Sequence, residues 1–140
     1  MRVLATVAAL LTLASPAAAQ KGDPPTRTTL QGVYNAAQAA RGEATFAQEC
    51  TACHAPGYFK ATAFRQAWSG RAVYWLYKTI RTTMPESNPG SLKTREVADL
   101  LAYILSINAY PEGPDPLPAD EDALRHVVWE DLPETAPKEP

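Results

Sequence analysis

Both cysteines of this chain and one of its two histidines fall within five residues, Cys50-Thr51-Ala52-Cys53-His54. Two thiols three residues apart on a helical turn point the same way, and the imidazole follows directly. Because the chain has no other cysteine among its 140 residues, a multi-disulfide scaffold is excluded. The fold must therefore rest on a packed core, or on a group held at this segment.

The spacing of this segment is the attachment pattern for c-type haem. Cys50 and Cys53 would form thioether bonds to the two vinyl groups of one haem, and His54 would be the proximal iron ligand. Three other interpretations stay open. A thioredoxin-like dithiol requires a βαβ context, a closed zinc site requires four ligands with only His126 left to complete it, and the two cysteines could form a plain disulfide.

Met84 is the only methionine besides Met1, and it lies 30 residues after His54, directly before Pro85. A thioether is a soft ligand that favours reduced iron and raises the reduction potential. We therefore predict that Met84 is the second axial ligand. The alternatives are that Met84 packs as a flexible apolar filler, or that His126 takes the position.

The first residues have the pattern of a secretory signal peptide. Arg2 precedes an apolar run over residues 3–13, and Ala17-Ala18-Ala19 is a small-residue cleavage site. The run is too short to remain as a bilayer anchor. We predict a signal peptide over residues 1–19, export to a bacterial periplasm, no transmembrane anchor after cleavage, and a linker over residues 20–33, where glycine and proline recur.

Helical periodicity dominates the middle of the chain. It predicts helices over residues 34–48, 69–81 and 95–108, the last capped by Thr94, with residues 55–67 as a loop. No segment alternates like a strand. The fold class predicted is all-α, with a haem domain over residues 34–110.

Residues 111–140 have a different composition. They hold seven of the 13 prolines and nine Asp/Glu against two Lys/Arg, whereas residues 20–110 have ten Lys/Arg against six Asp/Glu. Such a segment buries too little apolar surface to order itself. It is predicted to be a proline-rich acidic tail, in which only residues 123–129 could form a helical turn or dock on the domain.

Residues 34–110 resemble a class I c-type cytochrome of the small bacterial monohaem kind. The matching features are a glycine and an aromatic residue in the first helix, the haem motif, the methionine–proline pair and the last helix; in this chain they are Gly42, Phe46, Cys50, Cys53, His54, Met84, Pro85 and residues 99–103. The resemblance implies a three-helix class I cytochrome c fold around one covalent haem c. It also implies that Leu100 and Tyr103 cross Gly42 and Phe46.

More narrowly, residues 82–92 and 103–108 resemble cytochromes and cytochrome domains associated with quinoprotein alcohol or sugar dehydrogenases. The chain departs from many family members in one respect: they have a proline about a dozen residues after the ligating histidine, and none lies near Gln66. That proline's carbonyl accepts the imidazole N–H in the family. Some other carbonyl must orient His54 here.

Aromatic and basic side chains cluster between His54 and Met84. Packing against the haem is expected from Trp68, Tyr74, Trp75 and Tyr77, and Arg71 or an indole N–H could contact a haem propionate. The basic residues would form a rim that attracts an acidic partner, and the acidic tail could fold back on it; they are Lys60, Arg65, Arg71, Lys78 and Arg81.

These patterns favour a periplasmic one-electron carrier with His/Met ligation that is not itself an enzyme. Expected partners are redox proteins: a dehydrogenase or quinol-oxidising donor, and an oxidase or reductase acceptor. The net charge of -2 gives no indication of a nucleic-acid partner. The alternatives are a cytochrome subunit of a larger dehydrogenase complex, or a haem enzyme or gas sensor with a labile sixth site.

Overall fold

A computed structural model describes residues 26–133, which are mostly helical. The helices are α1 (Ala36–Glu49), α2 (Pro56–Lys60), α3 (Thr62–Trp68), α4 (Val73–Thr83), α5 (Thr94–Ile107) and α6 (Glu121–Arg125). A 3₁₀ turn covers Thr29–Gln31, and strands β1 (Arg27–Thr28) and β2 (Val127–Val128) pair in parallel. No helix within the described range combines the length and the apolar character needed to cross a bilayer. The predicted signal peptide and residues 20–25 of the predicted linker lie outside this range.

Helices α1 and α5 cross closely because one residue has no side chain. A Cβ on Gly42 would overlap the backbone carbonyl of Asp99 and crowd Tyr103. The rings of Phe46 and Tyr103 meet next to this point, with centroids 5.2 Å apart. The predicted crossing is thus confirmed for Tyr103, and the Asp99 carbonyl also lies over Gly42; the part of Leu100 in the crossing stays a prediction. The guanidinium of Arg41 fastens the crossing with two hydrogen bonds to the Asp99 carboxylate, of 2.9 and 3.0 Å.

The three predicted helices correspond to α1, α4 and α5, with shifted ends. Helix α4 begins at Val73 instead of residue 69, because Gly70 adopts a positive φ of 75° and Ala72 is extended. Helix α5 begins at Thr94, so the N-cap is Lys93, whose N–H donates to the Glu96 carboxylate. The predicted loop over residues 55–67 is wrong, because α2 and α3 occupy it. Both helices are too short to show a period, although Pro56 stands at the first position of α2, where proline is favoured.

The described parts of the predicted linker and tail belong to the core. Val33 and Thr29 are buried, and four tail residues are 5% exposed or less: Leu117, Leu124, Val127 and Trp129. The predicted boundary at residue 110 therefore does not mark the end of the packed domain, and the packed part of the tail extends at least to Leu132. The physical reason is that a few large apolar residues, placed after the exposed prolines at 111, 114 and 116, bury enough surface to order the segment. A small, marginal domain gains stability from this addition.

Candidate haem site

A cavity of about 960 Å³ opens between the end of α1 and helices α2 to α5. Its volume is at the upper end of the range typical of cofactor sites. All four residues predicted to hold the haem line it: Cys50, Cys53, His54 and Met84. The structure thus brings together side chains that lie up to 34 residues apart in the sequence. Their roles in attachment and ligation stay predictions.

The cysteine segment reaches the cavity because the chain keeps turning after α1 ends. The N–H of Cys53 donates to the Cys50 carbonyl at 3.1 Å, and that of His54 donates to the same carbonyl at 2.8 Å. These turns carry the half-buried Cys50, the exposed Cys53 and the imidazole to one wall. The rings of Tyr58 and Phe59 in α2 lie beside His54, with centroids 6.1 and 5.7 Å away. The acceptor expected for its ring N–H stays a prediction.

The surroundings of the two thiols bear on the three other interpretations of this segment: a reactive dithiol, a zinc site and a disulfide. Burial raises the pKa of the Cys50 thiol, and the charge of Glu49 adds to this effect. A reactive dithiol requires the opposite, a lowered thiol pKa. Cys50 and Cys53 are not joined by a disulfide. In the described part of the chain, no three His, Cys, Asp or Glu side chains gather as a metal site, so the geometry gives no support to zinc.

Met84 approaches the cavity from the C-terminal end of α4. Its N–H closes the last turn on the Ile80 carbonyl at 3.0 Å, and its backbone is extended, as a residue before proline prefers. Arg81 donates to the Gly90 carbonyl at 2.7 Å and so fastens the following loop to the helix. The rival ligand His126 follows α6 and does not line the cavity.

The aromatic wall differs from the one predicted. Trp68 and Arg71 line the cavity, as expected, but Tyr74 and Tyr77 are buried elsewhere and Trp75 is 45% exposed. The helix presents Leu76, Thr79 and Ile80 to the cavity, and at about 100° per residue Tyr74 and Tyr77 fall on its other side.

Several wall residues were missed by the sequence analysis, and they are mainly apolar: Phe46, Phe59, Phe64, Leu100 and Ile104. Phe46 and Leu100 had been assigned only to the crossing of the first and last helices. The signal that could have revealed the others in the supposed loop is a cluster of three aromatic residues, Tyr58, Phe59 and Phe64, which pack edge to face.

The predicted basic rim is only partly available to a partner. Arg65 pairs with Asp131 of the tail at 3.3 Å, and Arg81 is engaged with the Gly90 carbonyl. Arg71 lies over the Trp68 ring, 4.8 Å from its centroid. Lys60 and Lys78 are exposed. The acidic tail does fold back towards the rim, but it does so as part of the packed fold.

The residues around the cavity fit a covalently attached haem, because two thiols, an imidazole and a thioether share one largely apolar cavity. No curated protein and no solved structure shows significant similarity to the chain. Residues 37–104 match the family of cytochrome C oxidase, cbb3-type, subunit III. That range runs from Ala37 near the start of α1 through most of α5, and it includes Cys50, Cys53, His54 and Met84. The match supports a c-type cytochrome domain, which indicates electron transfer with a covalently bound haem.

Proposed function

We propose that the protein is a periplasmic electron carrier with one haem c, attached through Cys50 and Cys53 and ligated by His54 and Met84. The observation that carries this proposal is the arrival of these four side chains at one cavity, in the segment that matches a cytochrome family. When bound, the haem supplies reversible one-electron chemistry at its iron. The signal peptide predicted over residues 1–19 supports the periplasmic location.

The chain's own residues would set the properties of the site. Phe46, Phe64 and Leu100 are buried, and they line the cavity with apolar surface that limits the access of water. A dry, apolar surrounding disfavours the more highly charged oxidised state, and a thioether ligand acts in the same direction. We therefore expect a comparatively high reduction potential.

His54 and Met84 would fill both axial positions, which leaves no open position for a substrate. This arrangement supports a carrier rather than an enzyme. The oxidised holoprotein should show the charge-transfer absorption of a bond between haem iron and the Met84 sulfur. This absorption should disappear on one-electron reduction in a redox titration. Immediate binding of cyanide without displacement of a ligand, together with absence of that band, would favour the haem enzyme or gas sensor.

The partners would be redox proteins that give electrons to the carrier or take them from it: a dehydrogenase or quinol-oxidising donor, and an oxidase or reductase acceptor. The matched family is named for an oxidase subunit, which favours a second candidate, a cytochrome subunit of a larger complex. Gentle extraction of the native periplasm and membranes separates the two. A free carrier elutes as a monomer in size-exclusion chromatography, whereas a subunit elutes with its complex.

A further inference from the structure

The last part of the described chain is joined to the connection between α3 and α4. We call residues 127–131 the C-terminal strap. The N–H of Gly70 donates to the Trp129 carbonyl, and the N–H of Trp129 donates to the Arg71 carbonyl, both at 2.8 Å. An antiparallel bridge between Ala72 and Val128 continues the contact. Both backbone polar groups of Trp129 thus hold this connection.

The connection forms part of the cavity wall. It joins Trp68 to Arg71, and both residues line the cavity. Gly70 is left-handed at φ 75°, so the segment is not helical. Its internal support is a turn in which the N–H of Arg71 donates to the Trp68 carbonyl at 3.1 Å. The bonds from the strap are therefore a large part of what fixes this wall.

The strap is itself firmly anchored on its other side. Thr29, which is fully buried, donates its hydroxyl to the Glu130 carbonyl at 3.1 Å and accepts from the Glu130 N–H at 3.0 Å. The Tyr110 hydroxyl donates to the same carbonyl at 2.9 Å. The Trp129 ring is 1% exposed and packs edge to face on Phe64, another residue of the wall, with centroids 6.2 Å apart.

We propose that the C-terminal strap is a positioning element of the cofactor site, which holds the wall between Trp68 and Arg71 closed over the cavity. The strap lies outside residues 37–104, the segment matched to a cytochrome family, so this support is an addition to the matched domain. For its effect on the haem, the proposal rests on the proposed function. A loosened wall would admit water and small ligands, which lowers the reduction potential because water stabilises the oxidised state.

Two strap variants and a matched control test the proposal in the full-length holoprotein. Asp131→Asn weakens the ion pair with Arg65, and Thr29→Val removes both hydrogen bonds to Glu130. The control, Asp122→Asn, makes the same change of charge at an acidic residue that pairs with Arg125 in α6, at 3.7 Å, where Asp122 is 94% exposed. Asp131 is a surface residue whose replacement leaves the core intact, so the test does not depend on Thr29→Val alone.

Three quantities are measured: amide hydrogen exchange at Gly70 and Trp129, the rate of imidazole binding to the oxidised protein, and the midpoint potential. We expect Thr29→Val to speed both exchange and imidazole binding by about fivefold or more and to lower the potential. Asp131→Asn should speed exchange and binding to a smaller extent, while Asp122→Asn should match the wild type in both. The loss of a carboxylate charge alone raises the potential, so the potential of Asp131→Asn is compared with that of Asp122→Asn and should be the lower of the two.

Strap variants that behave like Asp122→Asn in all three measurements would overturn the proposal. Faster exchange with unchanged imidazole binding and potential would also overturn it, because the strap would then be a purely structural addition. A wild-type protein without covalent haem would instead refute the proposed function. The exchange of Gly70 would still show in that protein whether the strap holds the wall.

Discussion

Met84 enters the cavity from the end of α4, where its backbone is extended before Pro85. If its thioether ligates the iron, Met84→His should retain the haem and lower the reduction potential, since a nitrogen ligand lacks the preference of sulfur for reduced iron. Met84→Ala should open the position, so that added imidazole or cyanide binds rapidly. Redox titration and ligand-binding kinetics of the holoprotein provide the measurements.

His126→Gln is the matched control for Met84, because His126 was the rival ligand and lies away from the cavity. It should retain the wild-type potential and spectrum. If His126→Gln alters the ligation spectrum while both Met84 variants leave it unchanged, the assignment of the sixth ligand is wrong.

For some residues the sequence alone predicts a place at the cavity, and for others it does not. Cys50, Cys53 and His54 could be placed at one site because their spacing alone fixes their proximity, and Met84 because the chain offers few other soft ligands. Tyr74 and Trp75 could not be placed, because periodicity shows which residues share a side of α4 but not which side meets the cavity. Tertiary packing decides which side that is.

At the scale of elements, the crossing of α1 and α5 depends on Gly42. Gly42→Ala should destabilise the protein by about 1–3 kcal/mol, because the new Cβ meets a backbone carbonyl and forces the helices apart. The matched control is Gly57→Ala in α2, where a Cβ meets no atom within 4 Å. It should be neutral, or stabilise by up to about 1 kcal/mol. Urea unfolding of both variants tests this, and equal effects would contradict the close crossing.

The longer elements were predictable and the short ones were not. Helices α1, α4 and α5 each run for 11 residues or more, long enough to show a helical period. Helices α2 and α3, of five and seven residues, show no such period. Whether such short helices form depends on their tertiary contacts. Phe59 and Phe64 pack on each other with centroids 5.1 Å apart, a contact that joins the two helices but leaves no periodic pattern.

At the scale of the whole molecule, the tail contributes to stability. Trp129→Ala should lower the free energy of unfolding by about 3–5 kcal/mol, because the Trp129 ring is 1% exposed and packs between Phe64 and Tyr110. Trp75→Ala is the control: this tryptophan is 45% exposed and should cost far less. Thermal unfolding of the holoproteins gives both values. A chain cut after Tyr110 should lose at least as much free energy of unfolding, because it also lacks the buried Leu117 and Leu124.

The composition of the tail predicts that it does not order itself, because composition averages over the segment and does not report where its apolar residues lie. Thirty residues with seven prolines and net charge -7 have the signature of disorder, yet folding depends on where the apolar residues fall. Leu117, Leu124 and Trp129 each reach the shared core, whereas four of the five described tail prolines are exposed and lie before Leu117 or after Trp129. The contact with the N-terminal segment, over 100 residues away in sequence for Thr29 and Glu130, is a tertiary feature with no local signal.

Two buried tyrosines, Tyr34 and Tyr110, connect the N-terminal segment with the tail. We expect them to make the free energy of unfolding depend on pH. The Tyr34 hydroxyl donates to the Tyr110 carbonyl at 2.8 Å. Burial, reinforced by Glu112 beside Tyr34 and Asp131 beside Tyr110, raises the pKa of each to about 12 from the ordinary 10.0. Because folding favours the neutral phenols, their contribution is complete below pH 10 and is lost as the pH rises towards 12.

The free energy of unfolding should therefore fall between pH 10 and 12, and fall less steeply in a Tyr34→Phe/Tyr110→Phe variant. Tyr58→Phe, at a ring that is 61% exposed, is the control and should keep the wild-type slope. Urea titrations at a series of pH values give these slopes. A double variant with the wild-type slope would show that other groups cause the alkaline loss.

Covalent attachment of haem to this chain can be observed on a denaturing gel stained for haem. The full-length protein is produced in a bacterial host that has the c-type haem attachment machinery. The wild type should retain the stain after denaturation, whereas the Cys50→Ala/Cys53→Ala variant, made in the same host, should lose it. An unstained wild-type band at full protein yield would show that the chain is not a c-type cytochrome.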